Sequence, residues 1–323
     1  MPLIPSSYTR APFYQPNGHW QTIWPALFRK VNTFTWSRER LELEDGDFLD
    51  LDWLPAPDSR RLVVLSHGLE GNSDRHYVRG MARAFRQNGW EALAWNCRSC
   101  SGELNRTARL YHHGDVEDIG HVLAHALRQK DYESVVLIGF SMGGAITSKY
   151  LGVQGTQLPS PIRAGIAFST PCDLRAGAEA LELPGNAFYK KRFFRKLQAK
   201  LLAKEQQFPG LIDPSLFAQV QRWSDFDEWF SAPVAGYRNA NEFYEHSSCV
   251  NFMAGSIVPL LIVNAQNDPI LLPACTPVEL SEKYDHIFVE MPLTGGHVGF
   301  QSRGPVIWSE QRALDFVAQY VHH

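Results

Sequence analysis

Apolar runs of strand length recur along the chain at residues 48–54, 61–66, 90–95, 135–140, 164–168, 260–264 and 286–290. Most are apolar at nearly every position instead of every second one, the pattern of strands covered on both faces, as in a parallel sheet. Between them, residues 76–87, 115–129, 142–151 and 306–321 place apolar side chains at three- and four-residue spacing, which predicts helices with one buried face. The alternation predicts a doubly wound α/β architecture, with a mainly parallel central sheet covered by helices.

From about residue 173 to 255 the pattern changes. No convincing strand occurs there; a run rich in lysine and arginine follows Tyr189, interleaved with Phe193, Phe194, Leu197 and Leu201, and aromatic-rich pieces come after it. We read 1–172 and 256–323 as one core, and 173–255 as a mostly helical cap inserted between two late strands. A chain of 323 residues, 44% of them apolar, accommodates one such elaborated domain.

Charge alters this picture little. A net charge of −3 and a pI near 6.5 argue against a nucleic-acid partner. The N-terminus lacks a basic segment followed by an apolar one, and no run reaches the ~20 apolar residues of a membrane span, so no transmembrane segment is expected. The five cysteines, Cys97, Cys100, Cys172, Cys249 and Cys275, are odd in number and scattered, which fits a reducing, cytoplasmic location.

Open parallel sheets bind ligands beyond the carboxyl ends of their strands, and four strand ends here carry chemistry. The run at 135–140 leads through Gly139-Phe140-Ser141-Met142-Gly143 straight into a helical pattern, and glycines on both sides of the serine allow a sharp turn that presents its hydroxyl. The others end in His67-Gly68-Leu69-Glu70-Gly71, in Gln266-Asn267-Asp268-Pro269 and in Gly295-Gly296-His297-Val298-Gly299. Each motif alone reads equally well as a turn. Together they place Ser141, Asp268 and His297 in the order nucleophile, acid, base. His297 then takes the serine proton, Asp268 holds the imidazole tautomer, and the backbone N–H groups of Leu69 and Met142 receive the oxyanion. Asp173, at the end of the preceding strand, is the competing acid.

The chain also resembles the YheT-like branch of the α/β-hydrolases. The carriers span nearly the whole length: Asn17-Gly18-His19-Trp20-Gln21-Thr22-Ile23, His67 to Gly71, Asn96-Cys97-Arg98-Ser99-Cys100-Ser101-Gly102, Tyr111-His112-His113-Gly114-Asp115, the Ser141 turn, Ala235-Gly236-Tyr237, and the Asp268 and His297 segments. The resemblance implies the triad Ser141, Asp268 and His297 and an ester-cleaving or acyl-transferring activity. Two positions depart from the family pattern: Ser99 stands where a glycine is usual, and Asn267 where an acidic residue is usual.

Other features carry less. Cys97 and Cys100 have redox-motif spacing but no second pair to complete a zinc site, and His121 and His125 read as part of a solvated helix face. The basic stretch 190–204 can be drawn as an amphipathic helix on an anionic membrane, but a cap helix with apolar residues inward and lysines in water is preferred, so peripheral membrane contact is not favoured. Trp223, Trp229 and Phe230 are candidates for the wall of an acyl pocket, with packing of the cap on itself the equal alternative. The expected function is ester hydrolysis through an acyl-enzyme, with a small acyl ester as substrate and neither metal nor organic cofactor. Acyl transfer to an alcohol and a non-catalytic binding module are the alternatives.

Overall fold

Side chains that alternate between two apolar surroundings are what place a strand inside a sheet covered on both faces. In the computed structural model, which describes residues 3–321, Leu62 and Val64 enter one core while Val63 and Leu65 enter another. These four lie on β4 (Arg61–Ser66), near the middle of a nine-stranded sheet ordered β1-β9-β8-β7-β6-β4-β5-β3-β2.

Its other strands are β1 (Leu3–Ile4), β2 (Ser37–Glu42), β3 (Phe48–Leu54), β5 (Glu91–Asn96), β6 (Ser134–Phe140), β7 (Ile162–Phe168), β8 (Leu260–Val263) and β9 (Ile287–Glu290). All pairings are parallel except those of β3 with β5 and β2 with β3. Helices α2 (His76–Gln87) and α11 (Trp308–Tyr320) cover the face of Val63 and Leu65; α3 (Glu117–Gln129) and α4 (Met142–Gln154) cover the other. Helices α1 (Gly18–Phe28) and α10 (Val278–Lys283) complete the α-helices outside the β7–β8 connection.

The apolar runs thus became strands within one or two residues of their expected ends. Strand β2, Ser-Arg-Glu-Arg-Leu-Glu, has no apolar run to announce it. It is an edge strand tied to β3 by charge: Arg38 and Arg40 form bidentate pairs with Asp52 and Asp50, and Glu39 accepts from the Trp53 indole at 2.8 Å. A charged edge also resists pairing with another chain.

Between β7 and β8 the described residues form helices only: α5 (Leu174–Ala180), α6 (Ala187–Gln207), α7 (Trp223–Phe226), α8 (Ala232–Val234) and α9 (Ala240–Ser247), with short irregular turns between them. They pack on two aromatic cores of their own. One expectation for α6 is corrected. Its Leu201 faces inward as drawn, but so do lysines on the same side: the side chain of Lys200 is 9% exposed, and Lys204 is fully buried. Lys204 can be buried because its ammonium meets the carbonyls of Asn105 and Thr107 at 2.5 and 2.6 Å and Gln207 Oε1 at 3.0 Å. Burial still lowers its pKa to about 8.

Candidate active site

The turn after β6 is dictated by backbone collisions. A Cβ on Gly139 would lie 2.1 Å from the Gly143 carbonyl oxygen, and one on Gly143 would lie 2.2 Å from that of Ser66. Only glycine fits either place. Ser141 between them takes the left-handed conformation, with φ 55°, a strained choice for a residue with a Cβ. The turn is held because the Ser141 N–H donates to Phe168 O at 2.8 Å.

His297 and Asp268 arrive at the hydroxyl from the ends of β9 and β8. Ser141 Oγ is 2.9 Å from His297 Nε2, and His297 Nδ1 is 2.8 Å from Asp268 Oδ2. Since a carboxylate only accepts, Nδ1 carries the proton and Nε2 is left to accept from the serine. The second Asp268 oxygen accepts from the Ile270 N–H at 3.0 Å, which fixes the carboxylate plane. The competing acid, Asp173, is engaged elsewhere: it caps α5, accepting from the Ala176 N–H at 3.1 Å.

The Leu69 N–H has no acceptor among the described residues, and the Met142 N–H, first in α4, has no carbonyl a turn earlier to meet. The loop bearing Leu69 is held from three sides. His67 is buried and neutral, burial pushing its pKa down to about 4. Its Nδ1–H donates to Gly68 O at 2.8 Å, and its Nε2 accepts from the Cys97 N–H at 3.1 Å. Arg75 and Lys196 both donate to Glu70 O, at 2.9 and 3.1 Å. The Glu70 carboxylate receives Lys200 at 2.6 Å and the Tyr111 hydroxyl. Burial alone would raise the Glu70 pKa, but Lys200 and these hydrogen bonds bring it below the ordinary value.

Sequence reasoning did not assign a role to α1. The helix lies against both catalytic-side loops: Thr22 Oγ1 accepts from the His297 N–H at 2.8 Å, and Gln21 Oε1 accepts from the Gly295 N–H at 2.8 Å. Gly18 permits the approach, since a Cβ there would fall 1.9 Å from Asn267 O. The signal was present in the Asn17-Gly18-His19-Trp20-Gln21-Thr22 segment, but nothing in its pattern tells which loop it meets.

Ser141 and His297 open into a cleft of about 410 Å³ walled by Ile23 and Leu27 of α1, Tyr189 and Phe193 of α6, and Ile270. The aromatics expected there are elsewhere. Trp223 and Phe230 line a smaller cavity of about 80 Å³ that reaches Leu69 from the cap side. Trp229 packs at the margin of the cap core around Phe226 and Phe230. These rings satisfy one another: Trp223 stacks on Phe226 with centroids 5.4 Å apart, and Phe217 on Phe230 at 4.1 Å.

The arginine loop explains one departure from the family pattern. Ser99 occupies a left-handed position, φ 62°, where glycine is the unstrained choice. Its hydroxyl donates to Asn105 Oδ1 at 2.5 Å and accepts from the Asn105 N–H at 3.0 Å, which offsets the strain. Arg98 beside it is buried among Asp45, Asp47 and Asp118. His125 pairs with Glu39 at 2.8 Å, and all five cysteines are free and buried.

A sheet of this order, with a strained serine after its central strand and an imidazole and a carboxylate from later strand ends, defines a class. The chain belongs to the α/β-hydrolase fold family, whose pattern matches residues 61–302. Within that family it sits in the YheT-like branch: it is 34% identical over 316 residues to YheT of Escherichia coli, a protein provisionally named an esterase, with 94% of this chain and 91% of that one covered. Phospholipase ABHD3 of Mus musculus is 27% identical over 84% of this chain and 67% of its own length. A monoacylglycerol lipase of Saccharomyces cerevisiae is 27% identical over 82% of this chain and 60% of its own. Among solved structures, a Pyrococcus furiosus esterase superposes with a TM-score of 0.60 at 18% identity, covering 90% of this chain and 92% of that one, a likeness of fold. No helix among the described residues is long and apolar enough to cross a membrane.

Proposed function

We propose that the protein hydrolyses carboxylic esters through an acyl-enzyme, with Ser141 as nucleophile, His297 as general base and then acid, and Asp268 as the group that orients the imidazole. The observation that carries this reading is the unbroken chain Ser141 Oγ, His297 Nε2, His297 Nδ1, Asp268 Oδ2, with links of 2.9 and 2.8 Å. Ser141 attacks the ester carbonyl as its proton passes to Nε2, the Leu69 and Met142 N–H groups receive the carbonyl oxygen as it gains charge, and the alcohol leaves with the proton from Nε2. Water then repeats the sequence in reverse roles and frees the acid.

The names of the relatives, an esterase and two lipid hydrolases, support an acyl ester as the substrate class. The apolar wall of Ile23, Leu27, Phe193 and Ile270 suits its acyl chain. Residues 173–255 act as a cap, α6 forming one side of the cleft. Five buried thiols without a disulfide fit work in the cytoplasm.

Labelling with a fluorophosphonate tests the assignment. Wild type should incorporate one probe and lose p-nitrophenyl ester hydrolysis in proportion, while a folded Ser141→Ala protein should do neither. Hydrolysis that survives in Ser141→Ala would sink the proposal.

A further inference from the structure

The two helices that wall the cleft, α1 and α6, each depart from ordinary protein surface on their outer side. Helix α1 contains no Asp, Glu, Lys or Arg, and its buried side is Gly18, Gln21 and Pro25. Its aromatic side faces out: Trp20, Trp24 and Phe28 form a ladder with centroids 6.5 and 4.4 Å apart, which Tyr14 extends at 5.1 Å from Trp24. Trp20 is 47% exposed and Phe28 58%. On the other wall, α6 turns Phe188, Lys191, Arg192, Arg195 and Leu202 outward, and its first acidic residue is Glu205. The ion pairs of α6 are those of Lys190 and Lys200, so Lys191, Arg192 and Arg195 have no carboxylate partner among the described residues.

We propose that this rim docks on an anionic lipid surface, with the aromatic ladder of α1 entering the headgroup region and the outer face of α6 lying over the lipid charges. Tryptophan and tyrosine prefer the boundary between water and hydrocarbon, and each basic residue near an anionic surface adds to the attraction. A soluble protein seldom leaves several large aromatics exposed in one patch without a partner. Single-stranded nucleic acid also combines rings with cations, but it stacks its bases on ring faces, and here the central Trp24 is flanked at a tilt by Phe28 and Tyr14. The position also has a use: the same two helices wall the cleft, through Ile23 and Leu27 of α1 and Phe188 and Arg192 of α6, so docking would bring a lipid ester to Ser141 without a passage through water. That last point rests on the proposed hydrolysis; the docking does not.

Sedimentation of the full chain with phosphatidylcholine vesicles, with and without phosphatidylglycerol, tests it. Wild type should bind the anionic vesicles and release them as salt rises. Lys191→Glu combined with Arg195→Glu should weaken binding about tenfold or more, and Trp20→Ser combined with Phe28→Ser should weaken it comparably. Both pairs should keep the wild-type melting temperature and the rate on a soluble short-chain ester. Absence of vesicle binding by wild type, or equal binding by the variants, overturns the proposal. So does a dimer in analytical ultracentrifugation that Trp20→Ser with Phe28→Ser dissociates, or capture of a labelled single-stranded oligonucleotide through the same rim. Vesicle binding without any ester turnover would fault the hydrolase reading and leave this one standing.

Discussion

The side-chain amide of Asn267 donates to Gln21 Oε1 at 2.9 Å while its own carbonyl accepts from the Gly296 N–H at 3.1 Å. One residue thereby ties the loop that carries Asp268 to the loop that carries His297 and to helix α1. An acidic side chain, usual here in the resembling family, accepts but does not donate. Asn267→Asp should set two acceptors against each other, lowering stability by about 1–3 kcal/mol. Because the histidine loop loosens, kcat should fall more than KM changes. Thermal melts and ester kinetics check this, and a variant unchanged in both would show that the amide does nothing there.

Asp268→Asn should leave the fold intact and lower kcat by about 10⁴-fold, the size of effect seen when a triad carboxylate loses its hold on the imidazole tautomer. Asp173→Asn should cost little, since asparagine caps a helix about as well as aspartate. Purified variants compared by circular dichroism and by kcat decide the matter: a near-normal Asp268→Asn beside an inactive Asp173→Asn would reverse the assignment.

Lys200 reaches Glu70 from the cap at 2.6 Å, with both side chains about nine-tenths buried. Lys200→Met should strand the Glu70 carboxylate and shift the Leu69 N–H beside it. Removing one member of such a buried pair costs more than removing both. The double variant Glu70→Gln, Lys200→Met should therefore recover part of the kcat that Lys200→Met loses, with KM moving little in either. Strictly additive losses in that cycle would mean that the two residues do not act as a unit.

Stability should fall as the pH drops below about 6.5. His67 is held neutral by burial, with a pKa near 4 against about 6.5 in the unfolded chain, so the unfolded state binds the extra proton between those values. The folded state's advantage is complete above 6.5 and is lost on the way down to 4, on the order of 3 kcal/mol for this one group. His76, His112 and His113, also desolvated, are pushed down to about 3 and act in the same sense. Asp227 opposes them: burial raises its carboxyl to about 6, so it favours the fold as the pH falls from 6 to 4. Asp115 and Asp118, raised by burial, act with Asp227. We expect the four histidines to outweigh these three carboxyls, and a melting temperature that stays level from pH 6.5 to 4.5 would contradict that balance.

What was legible in the sequence had a local cause. Gly139 and Gly143 announce the serine turn because the backbone admits nothing larger, and Asp268 and His297 stand out because each follows an apolar strand. What stayed hidden lies where residues face against their kind. On α1 the glutamine and proline point in while Trp20 and Phe28 point out, and on α6 Lys200 and Lys204 point in while Phe188 points out. A reading that sends apolar groups inward misplaces α1, and on α6 it places Phe193, Phe194, Leu197 and Leu201 correctly but misses the two buried lysines. Trp223, Trp229 and Phe230 were readable as cap core or as pocket wall, and their density serves both: the rings fill one another's gaps while Trp223 and Phe230 also line the small cavity that reaches Leu69.

The contact between Thr22 and the His297 backbone joins residues 275 positions apart. A ribosome makes α1 well before the histidine loop, at roughly 5–20 residues per second. For most of that interval the helix has no loop to dock on, and its aromatic side is exposed throughout. The nascent chain therefore carries an unseated, adhesive helix until the histidine loop has been made, and the imidazole is set in place only when these two distant segments meet.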